Sequence, residues 1–248
     1  MQRTFEKYIA RRETRLLLVY TFFGIKVLAL TVLLCLIVSY FLMSSYRVES
    51  SSMEPLLQEG DRILATPLTY GAKLPFGAFR VPGYAKPQHG DLVVIVPPYY
   101  VQRAFPLSLL EPFRHAFGAR GSIARQGGVR ELSGFMVKRV IGLPGDTVKM
   151  EAFGAYVRRN DDSVFRPEAQ LVTREYELDV EFTVKGWVEE LPFSGDFAEL
   201  ELAQDEYFVL GDHRAGSSDS RSWGPISYDD IVGKVIFRYW PLRKFGRL

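Results

Sequence analysis

One stretch constrains this chain more than any other. Residues 16–43 read LLLVYTFFGIKVLALTVLLCLIVSYFLM and carry a single charge, Lys26. A helix of that length and composition spans a hydrocarbon core of about 30 Å. Arg3, Lys7, Arg11, Arg12 and Arg15 precede it, against Glu6 and Glu13. Basic residues stay on the cytoplasmic side, so the pattern predicts an inner-membrane, single-pass protein with its N-terminus inside. Everything after Met43 then lies across the membrane. A cleaved secretory signal would have a shorter apolar core and a small-residue cut site after it. The expected organisation is a basic tail over 1–15, an anchor over 16–43 and an extracytoplasmic domain over 44–248.

The domain is predicted to be mostly β. Short β-branched and aromatic runs recur at 91–96 (DLVVIV), 135–143 (FMVKRVIGL), 146–150 (DTVKM), 206–210 (EYFVL) and 234–240 (KVIFRYW). Gly-Asp pairs at 60–61, 90–91, 145–146 and 211–212 punctuate them as turns. The expected fold is an antiparallel β-barrel-like domain, with its strands coiled into one or two open barrels. Two stretches read as insertions: 97–131, and 151–203, the latter expected to form an extra hairpin or a small β subdomain.

Composition narrows the chemistry by exclusion. A formal net charge of +2 does not suit a nucleic-acid partner. Cys35 is the lone cysteine and lies in the apolar run, so neither an internal disulfide nor a cysteine-based zinc site is available. His89, His115 and His213 are scattered, without short metal-ligand spacing and without a recognisable Ser-His-Asp context. No cofactor and no metal is expected.

Four segments stand out: ESSSMEP (49–55), HGDLVVI (89–95), VKRVIGLPGD (137–146) and GDHRAGSSDSRSWG (211–224). Singly, each reads as an ordinary turn or strand. In this order, behind an anchor, they resemble the bacterial type I signal peptidases. That family carries Ser-x-Ser-Met-x-Pro after the membrane helix, matched by Ser50 to Pro55. A Gly-Asp-hydrophobic strand follows, matched from Gly90. Lys-Arg-x-x-Gly-x-Pro-Gly-Asp is matched by Lys138 through Asp146. The last box is matched by Gly211-Asp212, Arg214, Ser217, Asp219-Ser220-Arg221 and Gly224. The chain departs from the pattern at Ser51 for a glycine, at His213 for an asparagine, and at Ala215-Gly216 for Asp-Asn.

The resemblance implies a membrane-bound endopeptidase that removes signal peptides after small-x-small sites. Ser52 would be the nucleophile and Lys138 the general base. The Ser52 N–H and the Ser50 hydroxyl would form the oxyanion hole, and Ser217 would orient the lysine. Asp212, Arg214, Asp219, Arg221 and Arg139 would support the site, with Arg139 directed into solvent or a salt bridge. Met53 would line a substrate pocket. Implied partners are the signal peptides of exported preproteins, the lipid bilayer and the secretion translocon. Apart from the resemblance, the aromatic and basic residues between Tyr99 and Arg130 suit either contact with anionic lipid or a solvated loop with some core anchors.

A lysine serves as base only when neutral, and its free pKa is about 10.4. Lowering that to about 8 costs roughly 3 kcal/mol. On a strand, Lys138 would share a face with Met136 and Val140, an apolar setting that disfavours the ammonium. Three alternatives stay open. A self-cleaving repressor would share the Ser/Lys pair but not the anchor. A pilus or conjugation processing peptidase would share the dyad. A catalytically inactive membrane-tethered scaffold would bind exported chains without cutting them.

Overall fold

The computed structural model describes residues 2–73, 80–100, 134–172, 175–180 and 195–248. Helix α1 (Gln2–Ile37) joins the basic tail and the apolar run into one element. Its segment Arg15–Ile37, with a mean hydropathy of 2.2, is long and apolar enough to cross a membrane, and its apolar window is not buried against the domain. Val38–Leu42 continue it as a π-turn, closed by the Met43 N–H on the Val38 carbonyl at 3.0 Å. Strand β1 (Ser44–Arg47) begins at once. The Thr66 hydroxyl donates to the Leu42 carbonyl at 2.8 Å and ties the helix end to the domain.

Among the described residues, twelve strands follow the β expectation. After β1 come β2 (Arg62–Thr66), β3 (Leu92–Ile95), β4 (Met136–Gly142), β5 (Thr147–Glu151), β6 (Gly154–Arg158) and β7 (Arg166–Pro167). The remainder are β8 (Phe197–Glu201), β9 (Glu206–Leu210), β10 (Ile226–Ser227), β11 (Ile231–Trp240) and β12 (Gly246–Arg247). The larger sheet runs β1-β2-β11-β3-β4-β9-β10, with β12 on β11. The smaller runs β7-β6-β5-β8, and its named pairings, like those of the larger sheet, are antiparallel. Strands β6, β7 and β8 of the smaller sheet fall within 151–203, and the sheet starts earlier, at Thr147. The first insertion falls largely outside the described residues, as do 173–174 and 181–194 of the second.

The Gly-Asp pairs explain how the strands reverse. Gly60, Gly90 and Gly145 hold φ of +93°, +85° and +84°, where a side chain would be strained. The aspartate after each accepts the backbone N–H three residues earlier: Gln58 to Asp61 at 3.1 Å, Gln88 to Asp91 at 3.0 Å and Leu143 to Asp146 at 2.9 Å. Each aspartate N–H donates back to the carbonyl of that same residue. The motif satisfies a turn's own backbone groups, which is why it recurs. The fourth pair, Gly211-Asp212, differs because Arg139 captures the Asp212 carboxylate.

Strand β3 shows why its run is apolar without alternation. Leu92 and Val94 face a core with Tyr46, Met53, Leu57 and Ile63. Val93 and Ile95 face another core with Tyr70, Val140, Val209 and Ile231. A strand covered on both faces has no solvent side to mark with polar residues. Its neighbour β4 is covered in the same way, so both Lys138 and Arg139 are forced inward.

Candidate active site

Ser52 lies in the loop joining β1 to β2. Glu54 N–H donates to Ser51 O at 2.9 Å and Leu57 N–H to Met53 O at 2.8 Å, winding the segment into a tight turn. Met53 and Leu57 are the anchors of that turn and are buried in the core beneath it. Met53, expected as a pocket wall, is only 1% exposed. Ser52 is left at the surface of the core, 9% exposed, with its Oγ 3.1 Å from Ser50 Oγ.

Lys138 pairs across the sheet with Val93 and lies on the same face as Met136 and Val140. It is 2% exposed. Its Nζ donates to Ser217 Oγ at 2.9 Å. Burial pushes the amine down to about 8. Asp219 and Asp212 pull the other way, and Arg221 pushes down with the burial. Desolvation decides the balance because each nearby carboxylate already holds an arginine of its own.

Those pairings are laid out around the fourth Gly-Asp pair. Arg139 grips Asp212 through Nε at 2.7 Å and Nη2 at 2.6 Å, donates to Gly90 O at 2.9 Å and lies 3.7 Å over the Tyr176 ring. Of its two expected destinations, the salt bridge is the one occupied, and it is buried. Arg221 grips Asp219 at 2.8 and 2.9 Å. Asp219 also accepts the Gly211 N–H at 3.1 Å and caps α2 (Ser220–Trp223). Its own carboxyl is pushed up by burial, but the Arg221 bonds and charge more than offset this and hold it below the usual carboxylate range. The Arg221 guanidinium reaches the Ser217 carbonyl at 3.2 Å, fixing the residue that holds the amine. Arg214 is the third buried guanidinium. It meets Glu168 at 2.7 and 2.6 Å and donates from Nε to Gly211 O at 3.0 Å.

Gly211 is where the serine loop and the lysine's partner meet. The His213 N–H donates to the Ser52 carbonyl at 3.2 Å. A methyl group on Gly211 would sit 2.2 Å from Ser217 Oγ and 2.4 Å from the Ser52 carbonyl. Glycine is required here by close approach. The expected result for Gly211→Ala is a fall in kcat of about a hundredfold, since a displacement near 1 Å suffices for that. Peptide cleavage assayed beside a thermal melt checks it; a variant with unchanged kcat would show that these contacts are not tight.

The structure thus gathers Ser50, Ser52, Lys138 and Ser217 into one place, with Arg139, Asp212, Arg214, Asp219 and Arg221 packed behind them. Among the described residues no hydrogen bond runs directly from Lys138 Nζ to Ser52 Oγ; each is bonded to another serine hydroxyl. Catalytic hydrogen bonds often tighten only with substrate in place. Sequence reading missed Glu168 and Tyr176. Glu168 lies 46 residues from Arg214, inside an expected insertion, and nothing in its surroundings marks it. The Tyr176 hydroxyl donates to Glu168 Oε2 at 2.5 Å, joining the Arg214 and Arg139 pairs.

A shielded amine among serine hydroxyls, on an antiparallel scaffold behind an apolar helix, has the parts of a serine hydrolase that works without a histidine base. Comparison with known proteins gives the family. Residues 23–240 match the family model described as signal peptidase, peptidase S26, and the chain belongs to that family. It is a serine peptidase, a hydrolase. It is 26% identical to a probable signal peptidase I-1 of Synechocystis, over 91% of this chain and 85% of that one. It is 28% identical to a signal peptidase I of Helicobacter pylori, over 86% and 80%. It is 27% identical to a signal peptidase IB of Staphylococcus aureus, over 88% of each.

Proposed function

We propose that this chain removes signal peptides from exported preproteins, with Ser52 as nucleophile and Lys138 as general base. The observation that carries the reading is the Lys138 amine: almost sealed from water, pushed down to about 8, and bonded to Ser217 beside the Ser52 turn. At that value a substantial fraction is neutral near physiological pH and can accept the serine proton. The attacking Ser52 Oγ forms an ester with the signal peptide's last residue, and the amine, now protonated, delivers its proton to the leaving nitrogen. Water then repeats the exchange and frees the enzyme. The Ser52 N–H and the Ser50 hydroxyl stand as donors for the oxyanion. Ser217 aims the amine. Asp212, Asp219, Arg139, Arg214 and Arg221 hold the loop that carries it.

Position relative to the membrane supports the substrate class. Eight residues separate Met43 from Ser52, a span of about 30 Å at full extension. The helix end is also fastened to β2 through Thr66. Cleavage therefore takes place near the bilayer surface, where the apolar segment of a signal peptide emerges. With the basic tail inside, that surface is the extracytoplasmic face of the cytoplasmic membrane. The substrate binds as an added strand with small side chains before the cut.

The test uses full-length chain in detergent and a precursor with an Ala-x-Ala site. The expected result is a single cut after the second alanine, lost in Ser52→Ala and in Lys138→Ala, each with the melting temperature retained. A precursor left whole by the parent chain would favour the inactive scaffold. Cutting at a site of another kind would favour the pilus-type processing reading.

A further inference from the structure

Glu54, Asp179 and His213 come from three separate parts of the chain and meet beside the Ser52 turn. Glu54 lies in the turn itself. Asp179 lies in the extended segment 175–180, which runs alongside the last loop: its N–H donates to Asp212 O at 3.0 Å, and Arg214 N–H donates to Asp179 O at 2.7 Å. His213 is bridged to Asp179 in parallel. One ligand atom from each of the three lies within 4.8 Å of the other two.

The imidazole is the informative member. Its side chain is 9% exposed, yet neither ring nitrogen makes a hydrogen bond to a described residue. Nδ1 is enclosed without a partner, and Nε2 stops 3.9 Å from Asp179 Oδ2, beyond hydrogen-bond range. Nδ1 has lost water and gained no partner, while Nε2, which faces Asp179, is not closed to solvent and is open to a further ligand.

We propose that Glu54, Asp179 and His213 bind a divalent transition-metal ion of the zinc class. One imidazole and two carboxylates form a mixed nitrogen and oxygen set, with a fourth position for water. Magnesium and calcium favour all-oxygen sets and are poorly served by it. Zinc draws its donors to about 2.0–2.2 Å, so the half-buried Glu54 and Asp179 side chains close on the ion while His213 stays in place. The asparagine that the family pattern carries at position 213 offers no imidazole. Because the His213 N–H also bonds the Ser52 carbonyl, an ion here staples the Ser52 turn to the loop carrying Ser217.

Tag-free full-length chain in detergent, stripped with chelator, tests this by zinc titration against a chromophoric indicator and by thermal melts. Cobalt absorption in the visible reports the coordination. Expected are one zinc per chain, a rise in melting temperature on addition, and a loss of affinity of at least about tenfold in His213→Asn, Glu54→Gln and Asp179→Asn. His89→Asn, which alters a histidine outside the cluster, should bind as the parent does. No zinc uptake by the parent, or equal uptake by His213→Asn and Glu54→Gln, would overturn the proposal. None of these readouts uses cleavage, so they stand apart from the Ser/Lys reading.

Discussion

Replacing Lys138 with methionine should stop precursor cleavage, lowering kcat/KM by about a thousandfold or more, while the chain still folds. The loss follows from removing the base, since a serine hydroxyl is a poor nucleophile without one. Folding survives because methionine fills the same apolar slot and carries no charge to bury. In the parent, kcat/KM should rise about tenfold per pH unit below pH 8 and level off above it, following the neutral amine. Stability moves with pH as well. The folded amine sits near 8 and the unfolded one near 10.5. Between those values the unfolded chain binds more protons, so stability rises with pH across that window. Below pH 8 both forms are charged, and a fixed penalty of roughly 3 kcal/mol remains. Lys138→Met removes that penalty. Chemical denaturation of both chains at pH 7.5 and pH 10.5 should show the parent gaining on the variant by about that amount. A constant difference between them would mean the lysine is ordinarily solvated, and the proposed mechanism would fall with it.

The largest loss of stability should come from Glu168→Ala, at about 3–5 kcal/mol. The Arg214 side chain is 0% exposed and its guanidinium is bonded to both Glu168 oxygens. Removing the carboxylate strands that charge in the interior. It also takes away the acceptor of the Tyr176 hydroxyl and of the Ala155 N–H. A domain of this size should melt about 10 °C lower. Cleavage should weaken as well, since Arg214 Nε steadies the Gly211 carbonyl. Replacing both partners, as Glu168→Leu with Arg214→Met, should recover much of the lost stability, because the cost lies in the lone charge rather than in losing the pair. If the single variant melted within about 1 kcal/mol of the parent, water would have to reach Arg214 and its burial would be wrong.

Local chemistry was legible in the residues. The apolar run 16–43 could hardly fold otherwise than as a long exposed helix. Three Gly-Asp pairs announced their turns because each closes hydrogen bonds with residues three positions away, well within reach of sequence reading. The apolar strands at 91–96, 135–143 and 206–210 followed from their composition. The serines and the lysine were legible only through the ordered boxes of a resembled family. By pattern alone, Lys138-Arg139 passes for an exposed pair on an edge strand.

Sequence by itself determined the helix, the five most apolar strands, three of the turns and the identity of the groups available for chemistry. Tertiary structure decided the state of those groups. Lys138 sheds its proton readily because β3 and β9 flank its strand and cores cover both faces, which no neighbour in sequence dictates. Gly211-Asp212 departs from its three counterparts because Asp212 is captured by Arg139, 73 residues away. Glu168 found Arg214 across 46 residues in the same manner. Burial and long-range charge pairing belong to the folded chain as a whole, and the desolvation they impose is what separates a readily neutralised amine from an ordinary one.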